Sequence, residues 1–230
     1  MKNKIIIGNQ KMLMSFCDVK DFISNFRYKD NVIICPTNIF IPYFIKNGYC
    51  VGIQDVCSEK LGPYTGEVSA QQAKSLGISV SIIGHSERKQ SFNETNEIIN
   101  RKVKESLSNN LKVVLCVGET LEQHNNNETK QELKKQIQEC LKNITIDDNV
   151  IIAYEPIWSI GTGNTLTNDE IEEISSFIKN MVKTKVLYGG SINENNIENI
   201  CKINNIDGIL VGKLSTDYIK FSKIIEVVIA

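Results

Sequence analysis

Eight short apolar runs, rich in isoleucine and valine, recur along the chain, and segments long enough for a helix separate most of them. They cover residues 4–8, 32–35, 49–53, 80–84, 112–117, 150–154, 185–188 and 208–211. Strands that alternate with helices re-enter a sheet in the same direction, so the pattern predicts an α/β protein with a parallel sheet. Most runs are nearly continuous rather than alternating, as expected of strands covered on both faces. Helices are expected over 19–26, 39–46, 70–76, 94–108, 129–141, 169–181, 195–203 and 222–228. In the sixth, Ile171, Ile174, Ile178 and Met181 form one apolar stripe, and Thr167-Asn168-Asp169-Glu170 supplies a cap before it. The Asn125-Asn126-Asn127 run reads as a loop before the fifth helix. Eight units without a boundary fit a closed (β/α)8 barrel spanning 1–230 as one domain, although doubly wound folds share the alternation.

Composition limits what such a fold could bind. With 230 residues and 41% hydrophobic content, the chain can bury one substantial core. Lysine and arginine (26) nearly balance aspartate and glutamate (27), so no overall field favours nucleic acid or an anionic membrane. An anionic ligand therefore needs a local site. The apolar stretch Ile5-Ile6-Ile7 behind Met1-Lys2-Asn3-Lys4 is too short for a signal peptide, and no later run reaches the ~18 residues of a membrane span. A soluble, cytoplasmic protein is expected. Seven cysteines without a C-x-x-C pair suggest reduced, mostly buried thiols rather than a disulfide framework or a structural zinc site.

In a barrel of this kind chemistry sits at the carboxyl ends of the strands, which directs attention to the residues just after each run. Strand one ends in Asn9-Gln10-Lys11, strand four in His85-Ser86-Glu87-Arg88, strand six in Glu155-Pro156, strand seven in Gly189-Gly190-Ser191 and strand eight in Gly212-Lys213. A base, an imidazole, an ammonium and two glycine-bearing loops would converge on one mouth. That set suits proton transfer on a small phosphate ester. The same segments, together with 62–69 (GPYTGEVS), 83–88 (IGHSER), 116–120 (CVGET), 153–163 (AYEPIWSIGTG) and 188–191 (YGGS), resemble the triosephosphate isomerase family from the first strand to the last.

The resemblance implies a TIM barrel that interconverts dihydroxyacetone phosphate and glyceraldehyde 3-phosphate without metal or organic cofactor. It implies Glu155 as the general base, carrying a proton between adjacent carbons. It implies His85 as the electrophile, a neutral imidazole at the start of a short helix. Lys11 would attract the phosphate and stabilise enediolate charge, and Asn9 would bond the substrate oxygen and hold Lys11 in place. Glu87 resembles the acid that pairs with that lysine. Residues 160–163 fit the tip of a mobile loop with hinges at 156–158 and 162–164, closing over a phosphate bound by the backbone N–H groups of Gly161, Ser191 and Gly212. Thr65 resembles the tip of a loop that inserts into a second subunit, implying a homodimer. Cys116 sits behind the glutamate in a packing role. His124 reads as a surface-loop residue.

Three positions depart from the family. Gln10 stands where a tryptophan is usual, Asn164 where a lysine is common at the second hinge, and Lys213 where a glycine generally follows the last strand. If that glycine position requires positive φ, Lys213 is strained by roughly 1 kcal/mol or more; its side chain also brings a charge to the phosphate region. The chain is shorter than the ~250 residues typical of the fold, which implies trimmed loops or trimmed second and third units. Two other readings stand beside the isomerase: a different phosphate-binding barrel, such as an epimerase or an indole-pathway synthase, and a catalytically silent barrel kept for binding or adhesion.

Overall fold

The computed structural model describes residues 4–229; residues 1–3, where the reading of the N-terminal stretch begins, and residue 230 lie outside it. Its elements run β1 (Ile5–Asn9), α1 (Phe16–Asn25), β2 (Val32–Cys35), α2 (Ile41–Lys46), β3 (Cys50–Ile53), α3 (Ala70–Ser75), β4 (Val80–Ile83), α4 (Ser86–Phe92), α5 (Asn96–Ser108), β5 (Lys112–Val117), α6 (Leu121–Asn125), α7 (Thr129–Cys140), β6 (Val150–Tyr154), α8 (Asn168–Met181), β7 (Lys185–Tyr188), α9 (Ile197–Lys202), β8 (Gly208–Val211) and α10 (Tyr218–Ile229). All eight strands pair in parallel and in sequence order, and β1 closes onto β8, with Ile5 opposite Gly208 and Gly8 opposite Val211.

Closure explains the continuous apolar runs. Successive strand side chains point to opposite faces. Ile7, Val80, Ile82, Val114, Cys116, Ile151, Ala153, Leu187 and Leu210 form one buried cluster inside the barrel. Their neighbours Ile6, Ile83, Val113, Leu115, Ile152 and Tyr154 belong to the larger cluster between strands and helices. Both faces are dry, so neither tolerates a regular polar alternation.

The helices are set by their caps as much as by their stripes. Ser15 caps α1 and Asp18 returns the bond, so the helix starts before Val19, where its apolar stripe begins. Thr167 and Glu170 do the same for α8. α4, capped by His85, is the short helix expected to start there, and α6, capped by Thr120 with Gln123, goes beyond the expected set. The helices of the second and third units, α2 and α3, have six residues each.

Candidate active site

At the end of β1, Asn9 is buried and its side-chain oxygen accepts the Lys11 backbone N–H at 3.1 Å. That bond bends the chain so that Lys11 adopts φ 52°, a left-handed conformation that an L side chain enters at a cost of ~1 kcal/mol. Two side-chain donors hold it there: the Thr37 hydroxyl (2.9 Å) and the Gln54 amide (2.8 Å) both bond the Lys11 carbonyl. The ammonium Nζ then reaches Glu87 Oε1 at 2.6 Å. Between them Gln10 is buried and donates to the Ser215 carbonyl at 3.2 Å, which ties β1 to the turn after β8.

β4 is followed by Gly84, whose φ of 73° turns the chain into α4. His85 caps that helix: its Nδ1 accepts the Glu87 backbone N–H at 3.3 Å. With its lone pair so engaged, Nδ1 leaves the ring proton to Nε2. Nε2 lies 3.6 Å from Glu155 Oε1, a near approach rather than a made bond.

Glu155 follows β6 and is 3% exposed. Its backbone N–H is tied to the Val117 carbonyl at 2.8 Å. Glycines on both neighbouring strand ends let it sit there. A Cβ at Gly118 would fall 1.8 Å from the Glu155 carbonyl, and one at Gly189 would fall 2.8 Å from its Cγ. The Cys116 thiol packs behind the carboxylate; burial and the nearby Glu155 charge both hold its pKa well above the ordinary thiol value, which makes it an inert neighbour. Glu155 Oε2 is buried without a hydrogen-bond partner among the described residues. A buried carboxylate oxygen left unbonded is costly; Asp55 Oδ1, Glu94 Oε2 and Glu119 Oε2 share that state, but of these acids only Glu155 lines the cavity described next.

A cavity of about 260 Å3 lies over these groups. Asn9, Lys11, His85, Glu155, Gly161, Ser191, Gly212 and Lys213 all line it; Glu87 is reached through Lys11, and Thr65 lies apart on the exposed loop between β3 and α3. The segment after β6 forms a short 3-10 turn, Ile157–Ser159, and then two glycines with φ of 71° (Gly161) and 82° (Gly163). Nothing comes within 4 Å of where a Cβ would stand on either glycine, so both lie open at the rim. Among the described residues no group of three or more His, Cys, Asp or Glu could hold a metal ion. Electrostatically the cavity joins one buried acid, one imidazole and the Lys11 ammonium, with Lys213 at its edge.

Residues 4–228 match the protein-family model described as triosephosphate isomerase. The chain is 36% identical to the triosephosphate isomerase of Mycoplasma mobile, 37% to that of Thermodesulfovibrio yellowstonii and 36% to that of Clostridium botulinum strain Loch Maree, in each case over 98% of this chain and the whole of the relative. This chain belongs to the triosephosphate isomerase family. It is an isomerase, and neither the other phosphate-binding barrels nor the silent barrel describes it.

Two expectations are corrected within this isomerase. Lys213 is not strained: it is absent from the positive-φ residues and opens a 3-10 turn, Lys213–Thr216, while Gly212 takes φ −82° and ψ −120°. The turn after β8 is thus relaxed for a side chain at 213. His124 is not in a loop but in α6, with its ring centroid 4.7 Å from that of Trp158. Glu119, which sequence reasoning passed over, organises that corner. It is fully buried, and its Oε1 accepts the Trp158 indole N–H (3.0 Å) and the Tyr154 hydroxyl (3.2 Å). It thereby fixes Trp158, within the 156–158 segment expected to be the first hinge. The signal was present: an acid directly after a buried strand, ahead of the Thr120–Gln123 capping pair.

Proposed function

We propose that the chain interconverts dihydroxyacetone phosphate and D-glyceraldehyde 3-phosphate through an enediolate, as an aldose–ketose isomerase of glycolysis and gluconeogenesis in the cytoplasm. The observation that carries this reading is the convergence of Glu155, His85 Nε2 and Lys11 on one cavity. In it, Glu155 takes a proton from the carbon next to the carbonyl and returns it to the neighbouring carbon. The unbonded Oε2 supports that role, because a base must keep a lone pair for its substrate. His85 donates from Nε2 to the substrate oxygens, Asn9 adds a bond to the same oxygens, and Lys11 stabilises the charge that develops there. One hydrogen passes between adjacent carbons through Glu155 and one proton passes from the hydroxyl oxygen to the former carbonyl oxygen beside His85, so the reaction balances without a cofactor.

Phosphate is held by the backbone N–H groups of Gly161, Ser191 and Gly212, with Lys213 adding charge at the rim and Glu87 releasing Lys11 when the dianion arrives. Closure of residues 160–163 keeps water from the enediolate, which otherwise loses phosphate. The protein works as a homodimer through the Thr65 loop. Exposed Leu61 and Tyr64 beside Thr65, and exposed Met12, Leu13 and Phe16 after β1, are the kind of apolar surface a subunit contact covers. Nothing in the charge balance favours nucleic acid as a partner, and no helix among the described residues is long and apolar enough to cross a membrane.

A coupled assay with glyceraldehyde 3-phosphate, combined with titration by 2-phosphoglycolate, tests the reading. Turnover inhibited competitively and tightly by the analogue is expected. Turnover without competition would remove the enediolate site from this cavity, and no turnover would remove the reaction.

A further inference from the structure

Ser159, the last residue of the turn after β6, is fully buried and makes more bonds than a turn residue needs. Its Oγ accepts the Ser191 backbone N–H at 3.1 Å and donates to the Asn164 carbonyl at 2.7 Å. Its carbonyl accepts the Ser191 hydroxyl at 2.5 Å and the Thr162 hydroxyl at 3.2 Å. Gly190 makes the approach possible: a Cβ there would stand 2.3 Å from the Tyr188 hydroxyl and 3.0 Å from Ser159 Oγ. One side chain therefore ties both ends of the 160–163 loop to the turn after β7.

We propose that Ser159 is a latch that competes with the substrate's phosphate for the Ser191 N–H. This rests on the reading of Ser191 as a phosphate ligand. An N–H serves one strong acceptor at a time, and a phosphate oxygen, being charged, is a better acceptor than a hydroxyl. Phosphate arriving at the β7 turn displaces Ser159 Oγ. The Asn164 and Ser191 ties strain with it, and the loop is freed to swing about Gly161 and Gly163. A ligand moves a two-state element only through its differential affinity for the two states, and the contested N–H supplies that difference. Ser159 is thus a positioning residue: it sets how readily the loop leaves its resting place, and so how tightly phosphate is held.

Ser159→Ala removes the competitor and keeps the fold's volume nearly constant. Inorganic phosphate and 2-phosphoglycolate should bind about fivefold tighter, the worth of one ordinary hydrogen bond. KM for glyceraldehyde 3-phosphate should fall by a similar factor while kcat does not rise. A merely structural serine would move affinity the other way, so unchanged or weaker binding overturns the latch. Amide NMR of the unaltered protein supplies a second arm that does not depend on the variant folding. On titration with 2-phosphoglycolate, the Ser191, Thr162 and Asn164 amides should shift together. A shift at Ser191 alone overturns the latch but spares the phosphate site; no shift at Ser191 overturns the phosphate reading itself.

Discussion

Two clusters of charge meet at the start of α4. His85 lines the cavity with Lys11 and Glu155, and the exposed Glu87 joins them through Lys11. The next residue, Arg88, belongs to the other, where its Nε meets Glu94 Oε1 at 2.6 Å and Asp55 Oδ2 at 2.9 Å, and the buried Lys102 meets both carboxylates at 2.5 Å. In that second cluster two cations face two carboxylates, each cation touching both acids. In the cavity the buried acid and imidazole stand 3.6 Å apart, and the tight pair, Lys11 with Glu87, is the one that a solvent-exposed acid can leave. Each cluster leaves a buried carboxylate oxygen unbonded, Glu155 Oε2 in one and Asp55 Oδ1 and Glu94 Oε2 in the other, so what separates the brace from the site is charge pairing: two cations lie against Asp55 and Glu94, whereas Glu155 has only the His85 imidazole at 3.6 Å.

The comparison breaks most easily at its two acids. Glu155→Gln should lower kcat by about 10^3-fold in the coupled assay. Its melting temperature should not fall, since a neutral amide replaces a buried carboxylate with an unbonded oxygen; a variant that loses stability along with activity would make Glu155 part of a brace. On the other side, Lys102→Met leaves two buried carboxylates short of a cation and should cost about 3–5 kcal/mol in denaturant unfolding. Turnover per folded molecule should stay within about twofold of the parent; a selective loss of kcat would join the two clusters into one.

A smaller effect is in pH. Burial pushes Asp55 up to about 6, with Lys102 and Arg88 pulling it back and Glu94 adding to the rise. Between its ordinary value near 3.8 and about 6, the folded state holds a proton that the unfolded chain has released. Stability from this residue therefore falls as pH rises through that window and is level above it. Asp55→Asn should remove that slope from unfolding curves taken between about pH 4 and 6; an identical slope would assign the titration elsewhere. Smallest is Lys213→Gly. At the rim, removing one exposed cation should weaken 2-phosphoglycolate by about two- to fivefold and less so in high salt. Unchanged affinity would show that the side chain does not reach the ligand.

Strands buried on both faces announce themselves, which is why β5 and β6 stand where their apolar runs lie. An apolar stripe marks the body of a helix but not its start: α1 begins at Phe16, ahead of Val19, because the Ser15–Asp18 capping pair sets its end. The polar ends of β1, β4 and β6 were legible as a cavity because strand order in a barrel is fixed by closure. What could not be read depends on contacts across the fold. Lys102 lies between Ile99, Val103 and Ser106 on the buried face of α5, a place where a lysine looks out of pattern until Asp55 and Glu94 arrive from elsewhere. Ser159 meets Ser191 only because β6 and β7 are neighbours and Gly190 has no side chain.

The left-handed backbone at Lys11 carries a consequence for how this enzyme could change over time. Asparagine or glycine would rest more easily at that φ, so the position offers thermal robustness to any replacement that forfeits the ammonium. Selection for heat resistance alone would drift the chain away from lysine at this residue, and under the proposed mechanism it is the demand for turnover that keeps lysine in an uncomfortable seat.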